Sequence, residues 1–189
     1  MITDLVTLAR DFVTGLPEAL QGVGVFLVSL IPFVEGEGAA LIAVIAGVSP
    51  WLAVPAAVLG NLLAVWLLVR AAAGMRGAVT ARVAARRAAE ETRASDVVAD
   101  APAAAPGVPA DDAKRSALRR RFEAWGVAGL SLLGPWFLVP GHVAAPAMVS
   151  FGASTPRVMA WQVVAIVLYT GFTAAVAYGL GAAVLATAL

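Results

Sequence analysis

The chain contains no cysteine, which excludes disulfides, thiolate metal sites and a cysteine nucleophile. It has one histidine, His142, too few for a multi-histidine metal centre. Charge is scarce as well. Asp, Glu, Lys and Arg make up 13% of the 189 residues, against about 25% in an ordinary soluble domain. The hydrophobic share is 61% and the mean hydropathy +0.88. A small domain leaves much of its chain exposed, so this composition excludes a water-soluble fold and predicts an all-α integral membrane protein. The start, Met1-Ile-Thr-Asp-Leu, is not basic, so no cleaved secretory signal is expected. Phosphate loops, hydrolase elbows and metal-ligand spacings are lacking too. The expectation is a protein that is not an enzyme and carries no cofactor and no metal.

The charges that are present are segregated. Of the Lys and Arg residues, all but Arg10 and Arg157 lie between Arg70 and Arg121. Flanked by apolar segments, this basic stretch reads as a cytoplasmic loop under the positive-inside rule rather than as a nucleic-acid site. Head-group attraction is a secondary effect. Four regions follow. Residues 1–16 form an amphipathic helix for the membrane interface or for packing on the bundle. Residues 17–73 are a first membrane half and residues 118–189 a second. Residues 74–117 are a basic cytoplasmic linker, helical at 74–94 and again from Asp111-Asp112. Its centre, with Pro102, Pro106 and Pro109, has disordered composition.

The two membrane halves share one grammar. In the first, the run Ala19–Val34 is shorter than the roughly 20 residues needed to cross the hydrocarbon core. Pro32 and Glu35-Gly36-Glu37-Gly38 break it, a short apolar run to Val48 follows, Ser49-Pro50 breaks again, and Trp51–Val69 reads as a spanning helix. In the second, Ala124–Leu133 meets a break from Gly134 to His142 containing Pro135, Pro140 and Gly141. A short run ends at Ser154-Thr155-Pro156, and a long helix runs on from Val158. Two half-length segments around a Gly/Pro turn predict a re-entrant hairpin, with kinked ordinary helices as the alternative. Non-helical backbone at that depth requires protein or a wet cavity around it, and paired breaks in two halves point to a transporter's binding site. The expected fold is therefore two inverted repeats, each a re-entrant hairpin plus a spanning helix, in a multi-pass bacterial inner-membrane protein.

Ionisable groups inside apolar segments are functional candidates, because each costs from about 2.5 kcal/mol upward at bilayer depth. Glu35 and Glu37 are such a pair; at depth, one of them would hold a proton near neutral pH. At an interface they would instead be solvated and inert. His142 can relay protons or simply hydrogen-bond the backbone of its break. Asn61, mid-helix, either bonds across helices or lines a pathway, and Tyr169-Thr170-Gly171 holds the comparable place in the second half. The five tryptophans fit interfacial belts, while Trp136 could floor a pocket.

Ile31-Pro-Phe-Val-Glu-Gly-Glu-Gly followed by Val58-Leu-Gly-Asn resembles the first half of the bacterial small multidrug export protein family. Gly134-Pro-Trp-Phe-Leu-Val-Pro-Gly-His resembles its second half. That family looks distantly related to DedA/VTT-type proteins, which have paired re-entrant hairpins and transport or flip lipids. The resemblance covers about residues 20–70 and 122–180 and implies Glu35 and Pro140-Gly141 as family positions. Two departures stand out: Glu37 replaces an expected arginine, and His142 an expected small hydroxyl residue. The functional expectation is a small proton-coupled exporter of cationic or amphipathic molecules, with lipid and protons as partners and a size compatible with a homodimer. Alternatives are a translocator of a phosphate-bearing lipid carrier or phospholipid, and a membrane scaffold that does not transport.

Overall fold

The computed structural model describes residues 2–94, 109–135 and 139–188, and among them it is all-α. Seven helices follow one another: α1 Ile2–Thr14, α2 Glu18–Ser29, α3 Glu35–Ile45, α4 Pro50–Ala94, α5 Pro109–Leu133, α6 Gly141–Ser150 and α7 Thr155–Ala188. The linker centre with Pro102 and Pro106, and Trp136 in the second break, lie outside the described residues. Pro50 opens α4 and Pro156 sits in the first turn of α7, where a missing N–H costs nothing. Gly126, at φ 65°, interrupts α5 between its charged and apolar parts.

Two stretches of α4 and α7, Pro50–Arg87 and Thr155–Gly181, are long and apolar enough to cross a membrane, their most apolar 18-residue windows having mean hydropathies of 2.2 and 1.9. The spanning helix expected to end at Val69 continues to Ala94. Ala and Arg are strong helix formers, so the charge at Arg70 ends the apolar run without ending the helix. At 45 residues, α4 is about 67 Å long.

The polar breaks fall earlier in the chain than the sequence suggests. The first turn occupies Leu30–Val34, and Glu35-Gly36-Glu37-Gly38 is already helical. Likewise Gly141 and His142 open α6 instead of closing the second break. Carboxylates are favoured in a helix's first turn, where free N–H groups and the dipole present positive charge. Glu35 and Glu37 therefore start a helix rather than interrupt one.

Around α4 and α7 the short helices are arranged in a repeating way. Helix α2 packs on α4 and α5 on α7, while α3 and α6 each contact both long helices. Two apolar cores result. One gathers Val25, Val28, Ala39, Ile42 and Ala43 around Ala53 and Ala57 of α4; the other gathers Leu130, Ala144, Ala145 and Met148 around Val65 and Val69 of the same helix. Helix α1 docks on α2 and α3. Its Ala9 and Val13 enter the first core, whereas Leu5, Leu8 and Phe12 of the same helix stay exposed.

Both short inner helices end in the same hydrogen-bond pattern. Gly47 N–H donates to Val44 O (3.0 Å) and Val48 N–H to Ala43 O (2.9 Å); Gly152 N–H donates to Val149 O (3.1 Å) and Ala153 N–H to Met148 O (3.0 Å). These are Schellman caps, and Gly47 and Gly152 supply the positive φ, 73° and 113°. Each cap is then held by the long helix of the other half. Tyr178 Oη of α7 donates to Val48 O (2.5 Å), and Arg76 Nη1 of α4 to Val149 O (3.3 Å).

Helix α2 lies tight against α4 at Gly60, where a Cβ would overlap Ser29 Oγ and the Phe26 carbonyl. Gly74, on the same helix, has nothing within 4 Å. Gly60→Ala should destabilise the protein by about 1–3 kcal/mol, whereas Gly74→Ala should leave it unchanged or up to about 1 kcal/mol more stable. Unfolding of the two variants in detergent, followed by circular dichroism, checks the contrast.

Candidate functional site

The turn before α3 aims a carboxylate into the protein. Phe33 and Glu35 both adopt positive φ, 70° and 54°, a conformation that costs a non-glycine residue about 1–2 kcal/mol. The chain thereby reverses within five residues and starts α3 beside the first turn of α6.

There Glu35 Oε1 accepts two hydrogen bonds from His142, one from Nδ1 at 2.9 Å and one from the backbone N–H at 3.3 Å. Pro140, the N-cap of α6, supplies no side-chain cap, so the anion that satisfies this helix N-terminus comes from the other half of the chain. Where Glu35 is ionised it only accepts, and Nδ1 then carries the proton of this bond. The pair is well enclosed: the side chains are 4% (His142) and 16% (Glu35) exposed. On the far side of the ring, His142 Nε2 is buried without a partner.

Next to the pair, Glu35, Glu37 and Asn61 line a cleft together with Ser131, Gly141, Gln162 and Tyr169. Its empty space is about 280 Å³, including the part open to the outside. One wall is tied: Gln162 Nε2 donates to Ser131 Oγ at 3.2 Å, and the Tyr169 hydroxyl donates to the Leu132 carbonyl. Elsewhere buried oxygens lack partners. Glu37 Oε2, Asn61 Oδ1 and Thr170 Oγ1 are all sealed from solvent without a hydrogen bond. Since a buried polar group left unpaired costs about 1–3 kcal/mol, three such oxygens close to one cleft are a strong functional signal.

Glycines in the first turns of the two inner helices, Gly36 and Gly141, make this closeness sterically feasible. Thr170 Oγ1 occupies the space a Cβ on Gly36 would need, with Asn61 Nδ2 3.3 Å from the same point. A Cβ on Gly141 would meet Gln162 Oε1 at 3.2 Å and Glu35 Oε1 at 3.8 Å.

Of the residues singled out in the sequence, Glu35, Glu37, Asn61, Pro135 and Gly141 line the cleft, and His142 joins it through Glu35. Pro32 stays in the exposed turn, Gly38 lies within α3 against Val34, and Pro140 serves as the α6 N-cap. Sequence reasoning gave no role to Gln162 and Ser131, and offered Thr170 only within a tripeptide. The available signal was polarity inside long apolar helices. Among the described residues no group of three or more His, Cys, Asp or Glu could hold a metal ion.

No family model, no curated protein and no solved structure matches the chain.

The Glu35–His142 contact should be energetically coupled. In a double-mutant cycle with Glu35→Gln and His142→Ala, the two losses of stability should fall short of additivity by about 0.5–3 kcal/mol. Unfolding in detergent, measured on the four proteins side by side, gives the coupling; strict additivity would contradict the geometry.

Proposed function

We propose that this chain is an integral membrane protein of two inverted halves that works as a small secondary transporter, a proton-coupled exporter of cationic or amphipathic molecules. The observation that carries this reading is the Glu35–His142 contact, which joins the first turns of α3 and α6 beside a second carboxylate, Glu37, at a cleft between α4 and α7. A titratable contact between two halves of a bundle is what alternating access needs, because each half can part from the other when the charge is neutralised.

Placement in lipid is supported by the surfaces of the long helices. Only 22% of the most apolar window of α7 is buried, and Leu168, Phe172 and Leu180 on it point outward. In water such a face would be an aggregation site; in a bilayer it is solvated. Beyond its apolar part α4 carries exposed Arg76, Arg82, Arg86 and Arg87, which favours a cytoplasmic position for that end. The matching caps and contacts of α3 and α6 support two equivalent halves, and the likeness to small multidrug export proteins points the same way.

In this reading Glu35 holds the halves together while ionised. A proton on it removes the attraction to His142 and the anion at the α6 N-terminus, and the halves separate. A cationic cargo neutralises Glu37 in one state, and a proton replaces it in the other. One observation favours a second reading, translocation of a phosphate-bearing lipid, since helix N-termini attract phosphate and those of α3 and α6 meet here. Glu35 and Glu37 already place negative charge in those turns, which is why a cation comes first.

Proteoliposomes separate the readings. An imposed pH gradient should drive uptake of a fluorescent organic cation. Glu35→Gln and Glu37→Gln should each lower the rate about tenfold for every ~1.4 kcal/mol of charge interaction lost. Unchanged transport in both variants would overturn the exporter reading, and movement of a labelled phospholipid or polyprenyl phosphate in place of the cation would establish the other.

A further inference from the structure

The two turns that lead into the long helices are built alike but charged differently. The turn from α3 into α4 is neutral: its cap is closed by the Tyr178 hydroxyl, and Pro50 is followed by Trp51, 89% exposed. The turn from α6 into α7 is closed by a guanidinium, Arg76 Nη1 donating to the Val149 carbonyl at 3.3 Å, and Pro156 is followed by Arg157, also exposed. Arg76 lies over this turn, its Nη2 3.7 Å from where a Cβ on Gly152 would stand, and Arg157 comes five residues after that glycine. A guanidinium has five N–H groups, and the Val149 carbonyl takes one. Among the described residues no carboxylate pairs with Arg76 or Arg157. Phe122 of α5 packs on Phe151 of the same turn, ring centroids 5.8 Å apart, but the acid next to it, Glu123, is taken by Arg119 at 2.9 Å. A cation in a first helical turn also opposes the helix dipole, so Arg157 gains nothing from α7 itself.

We propose that Arg76 and Arg157, at the turn between α6 and α7, form a docking site for the phosphate headgroup of an anionic phospholipid. Their level along the long helices suits this partner. From Pro50 to Arg76 α4 rises about 39 Å, close to the roughly 40–45 Å of a bilayer with its headgroup layers. Tyr178 binds the Val48 carbonyl two residues before Pro50, and α7 puts Arg157 about 32 Å from Tyr178. With the neutral turn at one membrane surface, both arginines stand at the other. There the counter-charge at hand is anionic lipid, which basic pockets between spanning helices recognise on the cytoplasmic side. The arginines further along α4 are set apart. Arg87 lies about 16 Å beyond Arg76, more than the Debye length of about 8 Å at physiological ionic strength, so it belongs to the cytoplasmic extension and not to the site. A lipid bound here bridges α4 and α7 beside the end of α6. The site rests on the membrane placement argued above and does not depend on transport.

The test titrates the full chain in a neutral detergent with dioctanoyl phosphatidylglycerol or dioctanoyl phosphatidylcholine and follows thermal unfolding by circular dichroism. A lipid that binds only the folded state raises the midpoint with its concentration. Phosphatidylglycerol should raise it by at least about 2 °C more than phosphatidylcholine, and about 0.5 M sodium chloride should remove most of the difference. The mole fraction of phosphatidylglycerol needed for half the rise should increase about fivefold in Arg157→Gln and in Arg76→Gln, the effect of losing one arginine at a charged surface. It should stay unchanged in Arg157→Lys and in Arg87→Gln. Among the described residues Arg157 makes no hydrogen bond or ion pair, so its variant reads binding apart from the cap that Arg76 also holds. Equal rises with the two lipids, a rise that inorganic phosphate reproduces at the same concentration, or a preference that survives both glutamine variants overturns the proposal. Flotation with phosphatidylcholine vesicles separates this result from the wider reading. A chain that floats with them and shows no anionic preference loses this site and keeps its place in the membrane; a chain that does not float loses both.

Discussion

A buried helix N-terminus has four N–H groups that find no partner within the helix, and α6 begins inside the protein after a proline that cannot cap it. In this chain the missing acceptor is Glu35, reaching over from α3 and taking both the His142 backbone N–H and its ring proton. The dependence is mutual. The carboxylate is tolerable in an enclosed place because it has two donors and a helix dipole to face, and α6 can start there because the carboxylate is present. The positive φ of Phe33 and Glu35 is the local cost of bringing the two together.

That central contact constrains the packing around it. Helices α3 and α6 must approach each other and both long helices at their first turns, and the sequence answers with residues that have almost no side chain. Gly36 and Gly141 admit Thr170 and Gln162 of α7, while Ala39, Ala40, Ala144 and Ala145 continue the close approach one turn later, all at or below 1% exposure. At their other ends the same helices are fixed by Schellman caps and by Tyr178 and Arg76 from the opposite long helix. Each inner helix is thus held by polar contacts at both ends and by small apolar residues between them. This is the packing used where burial between apolar surfaces supplies little discrimination and close fit and hydrogen bonds supply the rest.

The sequence made some of this legible. Carboxylates in an apolar run, a lone histidine after Pro-Gly and the repeated order of short and long helices marked Glu35, Glu37, His142 and the helical architecture. What it could not locate was the register of the breaks. Glu35-Gly36-Glu37-Gly38 reads as a turn by composition, yet the turn lies before it, because Pro32 ends the preceding helix and acidic residues suit a helix start. The extent of α4 was hidden for a different reason: hydropathy reports where apolar character stops, not where the helix does. Thr170, Gln162 and Ser131 were least visible. Neutral polar residues recur throughout apolar helices; only the approach to Gly36 and Gly141 distinguishes Thr170 and Gln162, and only the bond from Gln162 distinguishes Ser131.

The two inner helices also differ in a way that has consequences for charge. Glu37 and His142 each directly follow a glycine in the first turn of their helix, Gly36 in α3 and Gly141 in α6. His142 meets a carboxylate from the other half; Glu37 keeps a buried oxygen with no partner. One of two similar helix starts is electrostatically complete and the other is not. An arrangement built only for stability would close both, since an unsatisfied buried carboxylate oxygen is expensive. Leaving one open keeps an unmet demand in the first turn of α3, at the cleft that Glu37 and Asn61 line. A positive charge arriving there would meet Glu37 without having to break the contact that holds α3 to α6.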